Sequence, residues 1–112
     1  MSKYMQLTVT VRPFYEREMK RVYPKLVRYL RQIDSFPLDR DPSLYELAGQ
    51  LDSILYHSDG TSLREELLRH GDSLRDTHKK VQKNIADRNL VQADKLLYIL
   101  EDIFDDIESD LE

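Results

Sequence analysis

Apolar residues return every three or four positions along most of this chain, and that spacing limits what it can fold into. In the last part of the chain they are Leu96, Leu97, Leu100, Ile103, Phe104, Ile107 and Leu111. Such spacing places them on one side of an α-helix. A second segment repeats apolar residues every seven positions, at Leu67, Leu74 and Val81. The pattern therefore predicts an all-α fold.

Short breaks divide the chain into four amphipathic segments. They are a loop at residues 34–40, a turn at 58–60 and a turn at 87–89. We predict helices at about residues 13–33, 42–57, 62–87 and 90–111, within a single helical domain spanning 1–112. Because short connections favour antiparallel neighbours, the expected architecture is an antiparallel four-helix bundle. The alternative is a pair of long hairpins that completes its core only in a dimer.

Local signals refine these helices. Pro24 lies inside the first one, and because a proline removes a backbone hydrogen bond, we expect a kink or a split there. The second helix can be capped by Asp41 or by Ser43 with Glu46. The other predicted N-terminal caps are Ser62 with Glu65, and Asn89 with Gln92. Residues 1–12 are predicted to form a short extended arm, since Leu7 to Val11 alternate between apolar and polar. This arm would pack on the bundle or pair with a second copy.

Charge is distributed unevenly along the chain. The net charge is −4, yet residues 1–33 carry +6 and residues 91–112 carry −7. Seven of the last twelve residues are acidic. Acids are mildly unfavourable at a helix C-terminus, which bears partial negative charge. Their presence therefore needs an explanation other than the stability of that helix.

Helical projection places these charges opposite the apolar stripes. The first helix presents a basic face, and the last presents acids with Tyr98 among them. Tyr45 and Tyr56 also project away from their stripe. We predict partner-binding roles for Arg17, Arg21, Arg28, Tyr98, Asp102 and Asp105. The alternative is a solvated surface on which the flanking charges of the first and last helices pair with each other.

Motifs for catalysis are missing from the sequence. It has no cysteine, no glycine-rich phosphate loop and no GxSxG. The interpretation is a non-enzymatic module that binds another protein: a small adaptor, regulator, inhibitor or immunity-type protein without a cofactor. A homodimer in which the basic helix meets the acidic helix fits the same charges. The chain lacks the apolar core of a signal peptide and any run of about 20 apolar residues, so it is expected in the cytoplasm, off the membrane.

Three other functions are considered and ranked lower. Nucleic-acid binding would use the basic face of the first helix, but the pI near 5.4 disfavours it. Histidine phosphotransfer would need His-x-x-Lys-Gly, which neither His70 nor His78 provides. A metal site would join Glu66 and His70, four residues apart, to His78, yet di-iron bundles use Glu-x-x-His pairs on two helices. No metal ligand is therefore predicted, and His78 is expected on the inner stripe.

Overall fold

Residues 4–5, 8–15, 18–33 and 41–112 are described by a computed structural model of the chain. In these residues the backbone forms helices and no strand, which confirms the all-α prediction for the described part. The helices are α1 (Met19–Val22), α2 (Pro24–Leu30), α3 (Leu44–Gly49), α4 (Leu51–His57), α5 (Ser62–Ala86) and α6 (Leu90–Asp110). Leu7, Arg17 and the loop at 34–40 lie outside the described residues.

The α5–α6 hairpin is the frame of the molecule, with helices of 25 and 21 residues. Its connection is short because Arg88 adopts a left-handed conformation, with φ of 60°. The Asn89 amide then donates to the Asn84 carbonyl at 2.8 Å, a bond that closes many helix C-termini. At the other end, the Glu112 amide donates to Ser62 Oγ at 3.3 Å. The two helices therefore run antiparallel over their full lengths, close to the predicted bounds.

The first predicted helix is shorter than expected and is split. Helix α1 begins at Met19 and not at Pro13, because the Met19 amide finds its acceptor in Asp41, at 2.9 Å. Asp41 was a candidate cap for the second helix; the structure shows that it caps α1 instead, while Ser43 is the N-cap of α3. The chain leaves helical geometry at Tyr23 and resumes at Pro24. The break predicted at Pro24 is confirmed, since proline has no amide hydrogen to continue the ladder.

The second predicted helix is also split, at Gln50. Its predicted cap is confirmed, since Ser43 Oγ accepts from the Glu46 amide at 3.0 Å. The cap of α5 is Thr61, which accepts from Arg64, so the prediction of Ser62 is wrong by one residue. The capping role predicted for Asn89 is also wrong: in the described structure its side chain makes no capping bond. Helix ends are commonly uncertain by a residue or two.

The main core lies where α2, α3 and α4 pack against the half of the α5–α6 hairpin that is far from its turn. Its best-buried side chains include Leu26, Leu30, Leu47, Leu51, Ile54, Leu63, Leu67, Leu74, Leu100, Phe104 and Ile107. Towards the hairpin turn, Val81 and Leu96 are buried outside this cluster. Residues Val9 and Val11 of the arm are half-buried there and line a hollow with Tyr45 and Ile85. The hairpin tip is therefore less covered than the rest.

Candidate functional site

One side of α6 carries exposed apolar residues among acids. We call it the outer α6 face and define it by Val91, Asp94, Tyr98, Asp102 and Asp105. Steps of three and four residues place all five on one side of the helix. Val91 is 72% exposed and Tyr98 is 62% exposed, and the three aspartates are exposed as well. A bare aromatic side chain framed by charge is a frequent anchor of protein interfaces.

The predicted binding residues that the structure describes lie on different helices and do not form one surface. Tyr98 and Asp102 lie together on the outer α6 face. Asp105 belongs to the same face but accepts a hydrogen bond from the Tyr23 hydroxyl at 2.8 Å. Arg21 is exposed on α1. Arg28 is engaged within the chain, as described below, so the structure does not bring all the predicted residues into one surface.

The acidic end of α6 caps α2. The Glu108 carboxylate accepts from the Lys25 amide at 2.8 Å and from the Leu26 amide at 2.9 Å. These amides belong to the first turn of α2, and the residue at its N-cap, Tyr23, provides no capping side chain. Amides in the first turn of a helix have no partner within the helix. Glu108 was not predicted as a functional residue, although a Pro24 helix without its own cap signals that an outside acceptor is needed.

Three side chains of α2 donate hydrogen bonds to the main chain just after α6. Lys25 Nζ donates to the Leu111 carbonyl at 2.9 Å. The Tyr29 hydroxyl donates to the main-chain oxygen of Glu112 at 2.9 Å, and the Arg28 guanidinium donates to the same oxygen. Cations at a helix C-terminus complement its partial negative charge. The first and last helices are therefore joined by hydrogen bonds between side chains and the main chain; among the described residues no ion pair links their charged side chains.

The remaining acids repel one another. Partial burial, with added repulsion from Asp105, Asp102 and Asp94, raises the pKa of Glu101. Burial followed by the hydrogen bond to Asp105 raises the pKa of Tyr23, so this hydroxyl stays protonated and donates. The outer α6 face is thus an acidic surface with a negative potential that would attract a cationic group.

A cleft of about 400 Å³ opens beside this face. Arg12 and Tyr15 line it from the segment before α1, Val22 lines it from α1, and Leu97 and Glu101 line it from α6. The Tyr15 hydroxyl donates to the Pro42 carbonyl at 2.6 Å, and burial raises its pKa to about 12. That hydroxyl is already bonded, and the charged side chains that line the cleft are Arg12 and Glu101. The cleft is suited to an apolar side chain.

The two tyrosines of the second predicted helix, Tyr45 on α3 and Tyr56 on α4, differ in exposure. Tyr56 is 80% exposed, as expected of a surface aromatic residue. Tyr45 is only partly exposed and stacks on His78, with ring centroids 4.5 Å apart and planes 17° apart. The projection placed Tyr45 away from its stripe, and in the structure this side of α3 packs against α5. His78 is half-buried at the edge of the inner stripe.

The His78 contact makes stability depend on pH. Burial lowers the pKa of His78 below its ordinary 6.5, so the unfolded chain binds a proton more readily. Folding stability should therefore fall as the pH drops below 6.5. In His78→Gln this fall should be smaller, because no imidazole is left to protonate. Urea unfolding of both proteins at several pH values measures the difference, and equal pH slopes would contradict the assignment.

The other histidine of α5, His70, has a different environment. Its Nε2 is buried and has no hydrogen-bond partner among the described residues. Within that part of the chain, one group of side chains has the geometry to hold a metal ion: Glu66, His70 and Asp110. The metal site considered from the sequence had His78 as its third ligand in the place of Asp110. In the structure His78 stacks on Tyr45 and is not part of this group. The sequence pointed to Glu66 and His70 but gave no sign of Asp110.

These observations define the class as an all-helical protein with an acidic, partly apolar outer helix face. None of its described helices has a stretch long and apolar enough to cross a membrane. Comparison of the chain with protein-family models, curated proteins and solved structures finds no match.

Proposed function

We propose that this chain is a non-enzymatic protein-interaction module that binds a partner protein through the outer α6 face. Its class would be a small adaptor, regulator, inhibitor or immunity-type protein. The observation that carries the proposal is the exposure of Tyr98 between Asp94 and Asp102, with the exposed Val91 on the same side of α6. Such an arrangement combines an apolar anchor with a charged rim, which is the usual composition of an interface.

The proposed architecture supports a rigid binding face. We regard α1 with α2 and α3 with α4 as two interrupted helices, which together with α5 and α6 form an antiparallel four-helix bundle. In this arrangement α6 packs on α5, α2 and α3. A face on a helix held from several sides needs little ordering when a partner binds, and binding then loses less conformational entropy.

The chemistry of the face indicates the partner. Asp94 and Asp102 flank Tyr98, and Lys95 is the single basic residue of α6. A complementary surface would carry lysine or arginine around an apolar side chain that enters the neighbouring cleft. Complementary charges mainly raise the association rate and fix orientation, so binding should weaken with salt.

The basic residues favour a protein over a nucleic acid as the partner. Lys25 and Arg28 are engaged with the chain end, and Lys20 forms an ion pair with Glu18 at 3.0 Å. Contacts from these three residues to phosphate groups would have to displace these interactions. The acids of α6 would also repel a polyanion.

The test is affinity capture with three variants of the tagged chain, followed by binding measurements on the purified pair. Tyr98→Ala should lose the partner, with a cost of about 2 kcal/mol if Tyr98 is an anchor. Asp102→Asn should weaken binding at low salt and have less effect at high salt. The matched control is Tyr56→Ala, which removes an exposed tyrosine from α4 and should bind like the wild type.

Two outcomes would contradict the proposal. If Tyr56→Ala weakens binding as much as Tyr98→Ala, the outer α6 face is not the contact surface. If nucleic acid is captured and Tyr98→Ala does not change its recovery, the nucleic-acid alternative replaces the proposal. Sedimentation of the purified chain tests the homodimer alternative. Self-association that Tyr98→Ala abolishes would identify the partner as a second copy.

A further inference from the structure

Three potential metal ligands meet where the start of α5 packs against the end of α6. Glu66 and His70 are four residues apart on α5, so both project from the same side of that helix. Asp110 reaches them from the last turn of α6. One ligand atom from each side chain lies within 4.8 Å of the other two. Glu66 is buried, His70 is half-buried and Asp110 is exposed, so the group opens to solvent on one side.

The His70 ring is an independent sign of a ligand. Its buried Nε2 has no partner in the described part of the chain, although a buried nitrogen ordinarily makes a hydrogen bond. An unprotonated imidazole nitrogen presents a lone pair, which suits a metal ion. The carboxylates of Glu66 and Asp110, which lie beside His70, supply the negative charge that such an ion needs.

A cationic group already lies between the carboxylates. The Arg69 guanidinium is 3.3 Å from Glu66 Oε1 and 3.8 Å from Asp110 Oδ2. The Arg69 side chain is 62% exposed, whereas that of Glu66 is 6% exposed. Arg69 can therefore swing into solvent while Glu66 stays in place. The partial negative charge at the C-terminus of α6 adds to the attraction for a cation.

We propose that Glu66, His70 and Asp110 bind one divalent transition-metal ion of the zinc class, which displaces Arg69 from the two carboxylates. One imidazole nitrogen with two carboxylate oxygens suits Zn²⁺, whereas Ca²⁺ and Mg²⁺ take oxygen ligands. Three protein ligands leave a further position for water or for a group of a partner. Binding would tie the last turn of α6 to α5, next to the Glu108 carboxylate that caps α2.

Titration calorimetry of the full chain with Zn²⁺ at neutral pH, in a buffer that does not chelate, tests the site. The wild type should bind one ion. His70→Gln should weaken binding at least about 10-fold, the lower end of the loss seen when even an outer-shell partner is removed. His78→Gln, the matched control on the same helix, should bind like the wild type. The NMR signals of the His70 ring should shift on Zn²⁺ addition while those of His78 do not.

Arginine variants test the displacement. Arg69→Gln should bind Zn²⁺ several-fold more tightly than the wild type, because the competing cation is gone. Arg75→Gln makes the same change of charge on α5, where Arg75 pairs with Asp52, and should leave the affinity unchanged. Thermal unfolding followed by circular dichroism checks that each variant is folded.

Several results would overturn the proposal. They are no binding by either the wild type or Arg69→Gln, binding that survives His70→Gln, and equal gains in the two arginine variants. The last would show a general effect of net charge. If Arg69→Gln fails to fold, the comparison of His70→Gln with His78→Gln decides alone.

Discussion

Replacing Glu108 with alanine is expected to lower the free energy of unfolding by about 2 kcal/mol, a large effect for an acid near the end of the chain. The reason is that its carboxylate accepts from two backbone amides of α2, those of Lys25 and Leu26. Loss of an N-terminal cap costs about 0.5–2 kcal/mol, and a hydrogen bond to a charged group is worth about 1.5–3 kcal/mol. No other residue of the α2 N-terminus can take over, since Tyr23 lacks a capping side chain.

Urea unfolding measures this effect against a matched control. Asp106→Ala removes one acid from the same helix at an exposed position and should change stability by no more than about 0.5 kcal/mol. Glu108→Gln keeps an acceptor oxygen and should lose less than Glu108→Ala. Equal losses in Glu108→Ala and Asp106→Ala would mean that the cap contributes nothing and that only net charge matters.

Phe104→Ala is expected to cost about 3–5 kcal/mol, the largest loss for a single side chain considered for this protein. Phe104 is buried and lines a small internal gap. The helices α2, α3, α4 and α5 all contribute residues to this gap, among them Leu26, Leu47, Ile54 and Leu74. Removing its ring leaves a cavity that these side chains cannot fill without moving. Since single domains are stable by about 5–15 kcal/mol, the variant should be close to unfolding.

The measurement for Phe104 also validates the binding experiment. Phe104→Leu retains most of the apolar contact and should be destabilised much less, so it remains measurable if Phe104→Ala is unfolded. Tyr98→Ala, on the same helix but exposed, should change stability by no more than about 0.5 kcal/mol. If Tyr98→Ala instead destabilised the chain like Phe104→Ala, its loss of binding would reflect unfolding, and the outer α6 face would lose its support.

The acid-rich chain end shows where sequence reasoning succeeded and where it did not. Helical projection correctly placed Tyr98 and Asp102 outside, because exposure around one helix follows from its own periodicity. The same projection treated Asp105 and Arg28 as free to face another molecule. In the structure Asp105 accepts from Tyr23 and Arg28 donates to Glu112. Such contacts depend on how neighbouring helices are placed, and a projection of one helix contains no information on that.

The candidate site was predictable to a similar degree. The exposure of Val91 follows from its spacing of seven residues from Tyr98, which places both on the same side of α6. Only part of the group around His70 could be predicted from the sequence. Glu66 and His70 are one helical turn apart on α5, whereas Asp110 lies on α6. The distance from position 70 to position 110 along the chain gives no hint that their side chains meet.

Features that depend on neighbours within about one helical turn could be read from the amino-acid order alone. The apolar period specified an all-α chain and the long α5 and α6, Pro24 specified the break after α1, and Ser43 specified the start of α3. Tertiary structure decided the contacts between distant residues: Asp41 on α1, Glu108 on α2, and Asp110 beside His70. The physical reason is that backbone amides and buried polar atoms need partners, and when none lies nearby in sequence, packing of the helices selects one.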